Sequence, residues 1–140
     1  MSVKGLEMLF LEVDSLDESL DFYSTGLGFK IDRHNPEAEP PMATLRAGRL
    51  RLSLAQKPNA MMRRGRGIYF FLTVADVDEF YDFVVAGGIE TYDPPADGGW
   101  GGRFFAIVDP NGYRLFFVTW YPDGPYLTSD GEETELGLPD

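Results

Sequence analysis

The chain has no cysteine and a single histidine, His34, and each scarcity excludes chemistry. Without cysteine there is no disulfide scaffold, no thiolate nucleophile and no cysteine metal site. With one histidine, a two-His-one-carboxylate iron site cannot be assembled from one protomer. Long apolar runs are missing too. The longest uncharged apolar stretch, residues 68–75, is far too short to span a bilayer. No apolar leader is visible near the start, where Glu7 and Glu12 interrupt the chain. The expectation is a soluble, cytoplasmic protein without a membrane partner.

Positive charge is also sparse: 12 Lys and Arg stand against 23 Asp and Glu, a net charge of −11. Residues 122–140 carry six acids and no base, so the tail holds −6 and the preceding 121 residues −5. Nucleic acid is therefore not an expected partner, because phosphate binding needs a basic face. A cationic ligand is favoured by the overall field, modestly so by the folded part. Hydrophobic content of 44% and a length of 140 residues fit one globular domain.

What is present is a repeat. Residues 10–26 moved forward by 61 places fall on 71–87, and eight of those seventeen positions are identical. They include Phe10/Phe71, Val13/Val74, Asp17/Asp78, Phe22/Phe83 and Gly26/Gly87. A period of this length is too long for a solenoid unit and too short for a comfortable separate domain. The economical reading is one domain of two small αβ modules that bury each other.

Each copy opens with a strand, at 8–13 and 68–74, rich in β-branched and aromatic residues. A helix-start signal follows: Ser15 with Glu18, and Asp76 with Glu79. Leu16, Leu20, Tyr23 and Leu27 form the first amphipathic stripe, and Val77, Phe80 or Tyr81, Val84 and Val85 the second. Gly26 and Gly28, and Gly87 and Gly88, stand where a left-handed cap belongs. Three strands are then predicted per copy: 28–34, 42–47 and 50–56, then 89–92, 103–108 and 113–121. Asp109-Pro110-Asn111-Gly112 is a hairpin signal between the last two. The order is βαβββ twice, with modules at about 6–56 and 67–121, a linker at 57–66 and an acidic tail at 122–140.

Val13-Asp14-Ser15-Leu16, Phe22-Tyr23 and Leu27-Gly28-Phe29, with Trp100-Gly101-Gly102-Arg103-Phe104-Phe105 and the DPNG hairpin, resemble the vicinal oxygen chelate superfamily. This is the glyoxalase/bleomycin resistance/dioxygenase fold, and the resemblance covers about residues 6–121. It implies an α+β domain whose paired βαβββ modules form curved mixed sheets around a cleft, assembled as a homodimer. Metal-dependent members place ligands on the first and last strand of each module. By position these fall on Met8, about Leu52, Tyr69 and Phe116, none a usual ligand apart from the occasional tyrosine. The resemblance is therefore to the metal-free, bleomycin-resistance-like branch, with no cofactor expected. Those proteins sequester flat, cationic drugs in grooves between protomers. One departure is the strand after the first helix, which carries Arg33 and Ala38 where drug binders present aromatics.

The expected function is metal-independent binding of a planar, partly cationic small molecule such as an antibiotic, with Trp100 stacking on it. The alternative is an enzyme of the same fold, a lyase, isomerase or dioxygenase with an atypical site. Tyr69, Phe71, Phe105 and Phe116 are candidate lining residues or ordinary sheet core, with acidic residues supplying the charge. Arg103 is a candidate ligand contact, or else a salt bridge to the hairpin or the dimer partner. His34 is a candidate contact or general base, or else a solvated loop residue. Trp100 closes over a ligand or caps the core. Met61-Met62-Arg63-Arg64-Gly65-Arg66 is a basic loop paired with the acidic tail, or a flap over the pocket. An auxiliary module that docks another protein through the tail is a further possibility.

Overall fold

Ser15 and Asp76 each halt an extended segment and start a helix. The Glu18 amide donates to Ser15 Oγ at 3.2 Å, and the Glu79 amide donates to Asp76 Oδ1 at 3.1 Å. Both caps satisfy an amide that the helix itself leaves unpaired. The computed structural model describes residues 2–125. It divides into two compact units, one running to Met62 and the other from Arg63 on. Among the described residues no helix is long and apolar enough to cross a membrane.

In the first unit β1 (Leu9–Val13) leads to α1 (Leu16–Leu20), which widens into a π-helical turn over Asp21–Gly26. β2 (Lys30–Asn35), β3 (Met42–Ala47) and β4 (Leu50–Gln56) follow. The sheet order is β1-β4-β3-β2, with β1 parallel to β4 and the other pairs antiparallel. Leu11, Val13, Ala43, Leu45, Leu52 and Leu54 are buried on the face that receives Leu16, Leu20 and Tyr23. The opposite face is mixed, with Phe10, Met42 and Ala55 beside Thr44, Arg46, Arg51 and Ser53.

The second unit repeats the plan with β5 (Tyr69–Thr73), α2 (Val77–Ala86), β6 (Ala96–Gly98), β7 (Gly102–Val108) and β8 (Arg114–Trp120). Its sheet order is β5-β8-β7-β6, and β5 runs parallel to β8. Here both faces are apolar, and residues Leu115, Phe116, Phe117 and Val118 of the central strand are all buried. The two units together are α+β, two four-stranded mixed sheets each with its helix.

Three expectations shift. The helices start 61 residues apart, at Leu16 and Val77, yet the left-handed glycines Gly28 (φ 82°) and Gly88 (φ 83°) are only 60 apart. The π turn absorbs the extra residue of the first copy, with the Leu27 amide donating to the Phe22 carbonyl at 3.0 Å. The strand predicted at 89–92 does not form; the edge position is taken by Ala96–Gly98, which pairs with 102–104. Pro94 and Pro95 separate the two segments and cannot donate to a ladder. The linker expected at 57–66 is not wholly outside the modules, because Arg64 is buried and Gly65 lies against the β7–β8 hairpin. A Cβ on Gly65 would stand 2.4 Å from the Gly112 carbonyl oxygen, so only glycine fits. That hairpin is fastened by Asp109, whose Oδ1 accepts from the Asn111 and Tyr113 amides at 2.9 and 2.8 Å. From residue 126 on, the acidic tail lies outside the described residues.

Candidate functional site

Alternation along β5 puts Tyr69, Phe71 and Thr73 on the face away from α2. The parallel register brings them beside Arg114, Phe116 and Val118 of β8. The antiparallel register of β7 adds Gly102, Phe104 and Ala106 to the same face, opposite Trp120, Val118 and Phe116. The result is a continuous surface of rings. Phe71 stacks on Phe116 at 4.8 Å between centroids, and Phe104 lies nearly parallel to Phe116 at 5.6 Å. Tyr69 meets Phe116 edge-on at 5.6 Å. Phe104, Ala106, Phe116 and Val118 form the buried floor, while Tyr69 and Phe71 remain 39% and 41% exposed. Rings half open to water above a buried aromatic floor offer a flat π surface to a ligand.

Trp100 completes this face. It sits in the tight turn between β6 and β7, where the Gly101 amide donates to the Gly98 carbonyl at 3.2 Å. Its ring folds back onto the sheet, 5.2 Å from Phe71, 5.0 Å from Phe104 and 5.5 Å from Trp120. Glycine beneath it makes the approach possible, since a Cβ on Gly98 would stand 2.8 Å from Trp100 Cε2. The two indoles differ in their polar end. Trp120 Nε1 donates to Thr73 Oγ1 at 2.9 Å, whereas Trp100 Nε1 is buried with no hydrogen-bond partner among the described residues. An unmade hydrogen bond of this kind costs about 1–3 kcal/mol.

Of the seven residues singled out from the sequence, this face gathers Trp100, Tyr69, Phe71 and Phe116. Arg103 and Phe105 have the opposite parity on β7 and point to the helix side. Phe105 packs under α2, 5.2 Å from Tyr81 and 5.2 Å from Phe117. Arg103 forms a two-pronged ion pair with Asp78 in the first turn of α2, both N···O distances being 2.9 Å, and lies 3.7 Å from Asp97. Its partner is thus the helix, not the hairpin. His34 is in the first unit, exposed, on the rung of Ala43. Among the described residues, no acidic side chain shares the strand positions of this face. The hydroxyl end of Tyr69 accepts from Arg114 at 3.1 Å instead.

Phe104 and Trp120 belong to the face and were missed. Phe104-Phe105-Ala106-Ile107 is apolar at every position, so period two could not assign its faces. The alternation Phe116, Val118, Trp120 was the available signal for Trp120.

The hydrogen bonds from Arg103 hold the Asp78 carboxyl below its usual value. A depressed carboxylate stabilises the fold above its unfolded pKa, and that contribution is lost as pH falls through the depressed folded value. Arg103→Gln is expected to move the Asp78 titration up into the ordinary carboxylate range, read from side-chain carboxyl shifts by NMR. An unmoved midpoint would refute the assignment.

A family model, the Glyoxalase/Bleomycin resistance protein/Dioxygenase superfamily, matches residues 5–117. The chain belongs to this superfamily. Among curated proteins none matches the chain. Solved structures of the superfamily share the fold. One from Nocardioides is 24% identical, covers 91% of each chain and superposes with a TM-score of 0.72. One from Sphaerobacter thermophilus is 25% identical over 84% of this chain and 98% of the other, with a TM-score of 0.64. The FosX fosfomycin resistance protein of Listeria monocytogenes, a point mutant solved with Mn(II) and 1S,2S-dihydroxypropylphosphonic acid, is 16% identical. The match covers 87% of this chain and 94% of that one, with a TM-score of 0.65.

The positions that correspond to the superfamily's metal ligands can now be assigned by face. Met8 is joined not by Leu52, which is buried on the helix side, but by Ser53, whose Oγ donates to Met8 Sδ at 3.1 Å. In the second unit Tyr69 and Phe116 fill the equivalent places. Neither pair, a thioether with a hydroxyl in the first unit or a phenol with a phenyl ring in the second, offers good donors to the hard or borderline divalent metals. Among the described residues no group of three His, Asp or Glu side chains could hold a metal ion.

Proposed function

We propose that this chain binds a planar, partly cationic small molecule, such as an antibiotic, on the aromatic face of its second sheet, and acts by sequestration without a metal ion. The observation that carries the reading is the pair of half-exposed rings, Tyr69 and Phe71, set over the buried Phe104–Phe116 stack and flanked by Trp100 and Trp120. A flat heteroaromatic gains offset stacking on such a surface, and positive charge on it is attracted by the ring faces themselves. Among the described residues no carboxylate lines the face, and the rings and the overall charge of −11 supply the preference for a cation.

Both tryptophans of the chain lie on this face, so their emission reports its occupancy directly. Titration of chelator-treated protein with metal-free bleomycin is expected to quench that emission saturably, near one ligand per protomer. The same curve is expected after addition of divalent metal. Absence of quenching up to high micromolar drug would reject this ligand class, and binding that required metal would reject sequestration by the rings alone.

A further inference from the structure

The face of the first sheet that turns away from α1 carries chemistry of the opposite kind at the β2–β3–β4 end. Cross-strand register places Lys30, Arg46 and Arg51 on one rung across β2, β3 and β4, and Arg33, Thr44 and Ser53 on another. Partners on a rung project to the same side. This face therefore gathers four cations in a chain whose net charge is −11. Two carboxylates reach them: Asp32, at the bulge in β2, contacts Arg46 at 3.0 Å, and Glu7 contacts Arg51 at 3.4 Å. Two positive charges are left over. Arg33 and Lys30 have no ion-pair partner among the described residues.

Like charges directly opposite each other weaken a sheet, and Arg46 stands directly opposite Arg51. The ion pairs that offset this are exposed ones, with the Glu7 side chain 82% accessible. Such pairs contribute about 0–1 kcal/mol each. An anion between the guanidinium groups would remove the repulsion. The fold provides the space, a cleft of about 410 Å³ lined by Asp32, Arg33, Thr44, Arg46 and Arg51. We infer that this cleft is a binding site for an oxyanion, the carboxylate or phosphoryl group of a small molecule, held by the guanidinium forks of Arg33, Arg46 and Arg51.

Planar guanidinium groups match two oxygens of such a group at once, which a lysine ammonium does not. The hydroxyls nearby are already engaged, Thr44 with Ser53 at 3.1 Å and Ser53 with Met8. Recognition thus falls to the arginines. A nucleic-acid backbone does not fit, because an excess of two charges in one cleft gives no basic track. The residues of this cleft all belong to the first unit, and it selects the opposite charge to the aromatic face of the second.

The test is an NMR titration of the full-length, 15N-labelled chain with sodium phosphate, sodium acetate and sodium chloride at matched ionic strength. Saturable shifts of the Arg33, Thr44, Arg46 and Arg51 amides are expected with phosphate, acetate or both, and not with chloride. Phosphate alone would identify a phosphoryl ligand, acetate alone a carboxylate, and both the oxyanion itself. Arg33→Gln and Arg51→Gln are expected to weaken binding at least tenfold. Arg49→Gln, which removes the same charge from the exposed β3–β4 turn, is expected to leave it unchanged. Shifts that follow ionic strength alone, or an equal loss in Arg49→Gln, would overturn the assignment.

Discussion

Phe116→Ala is expected to cost the second unit about 3–5 kcal/mol, the range for removing a buried aromatic ring from a core that relaxes only partly. Phe116 is fully buried on the central strand β8, and three rings lean on it: Phe71 at 4.8 Å, Phe104 at 5.6 Å and Tyr69 at 5.6 Å. These neighbours come from β5 and β7, whose ladders fix the backbone on either side, so the sheet cannot close over the space left behind. A loss of this size is a large share of the ~5–15 kcal/mol that holds a typical domain folded. Urea unfolding followed by tryptophan emission measures it in the right place, since both indoles are in this unit. A loss below about 1 kcal/mol would mean that the site collapses freely and that the ring stack is not a rigid platform.

The architecture was legible because local signals agreed with one another. Ser15 and Asp76 cap the helices as their spacing predicted, β3 and β4 have the predicted ends, and the DPNG hairpin forms. The candidate site was legible only where a strand alternates. Period two set Tyr69, Phe71 and Thr73 on one face of β5, and their exposure alternates with that of Phe70 and Leu72. On β7 every position from Phe104 to Ile107 is apolar, so Phe105, which lies under the helix, stayed open between lining and core, and Phe104 was overlooked. A sheet buried on both sides erases the pattern that would tell its faces apart. Arg103 was open for a related reason. Its carboxylate partner, Asp78, is 25 residues away in the first turn of α2, and no spacing rule reaches that far.

The repeat was also a sound guide to topology and a poor one to chemistry. Equivalent strands pair in equivalent order in both units. Yet the face that is aromatic in the second sheet is arginine-rich in the first. Duplicated modules inherit the backbone register through their strand ladders, and the side chains on the non-helical face have diverged in chemistry between the two copies. Symmetry of fold therefore does not transfer a ligand preference from one unit to the other.

Trp100→Phe is expected to weaken bleomycin binding about tenfold while leaving stability nearly unchanged, and Trp120→Phe is expected to show the reverse balance. The reasoning starts from the two indole N–H groups. In Trp120 the N–H donates to Thr73 Oγ1 at 2.9 Å, so its loss forfeits a hydrogen bond worth about 0.5–1.5 kcal/mol. In Trp100 the N–H has no partner among the described residues, so the same substitution removes a penalty of about 1–3 kcal/mol that offsets the lost ring contacts. Binding is weighted the other way. Trp100 bridges Phe71, Phe104 and Trp120 from a turn, and a large rigid ring in that position is the anchor a stacked ligand would use. A tenfold change corresponds to about 1.4 kcal/mol, within the range of one aromatic contact. Thermal melts of both variants, paired with the fluorescence titration, separate the two effects. If Trp100→Phe melted far below the parent chain and bound the drug equally well, Trp100 would be a core cap, and the ligand would have to engage Tyr69 and Phe71 alone.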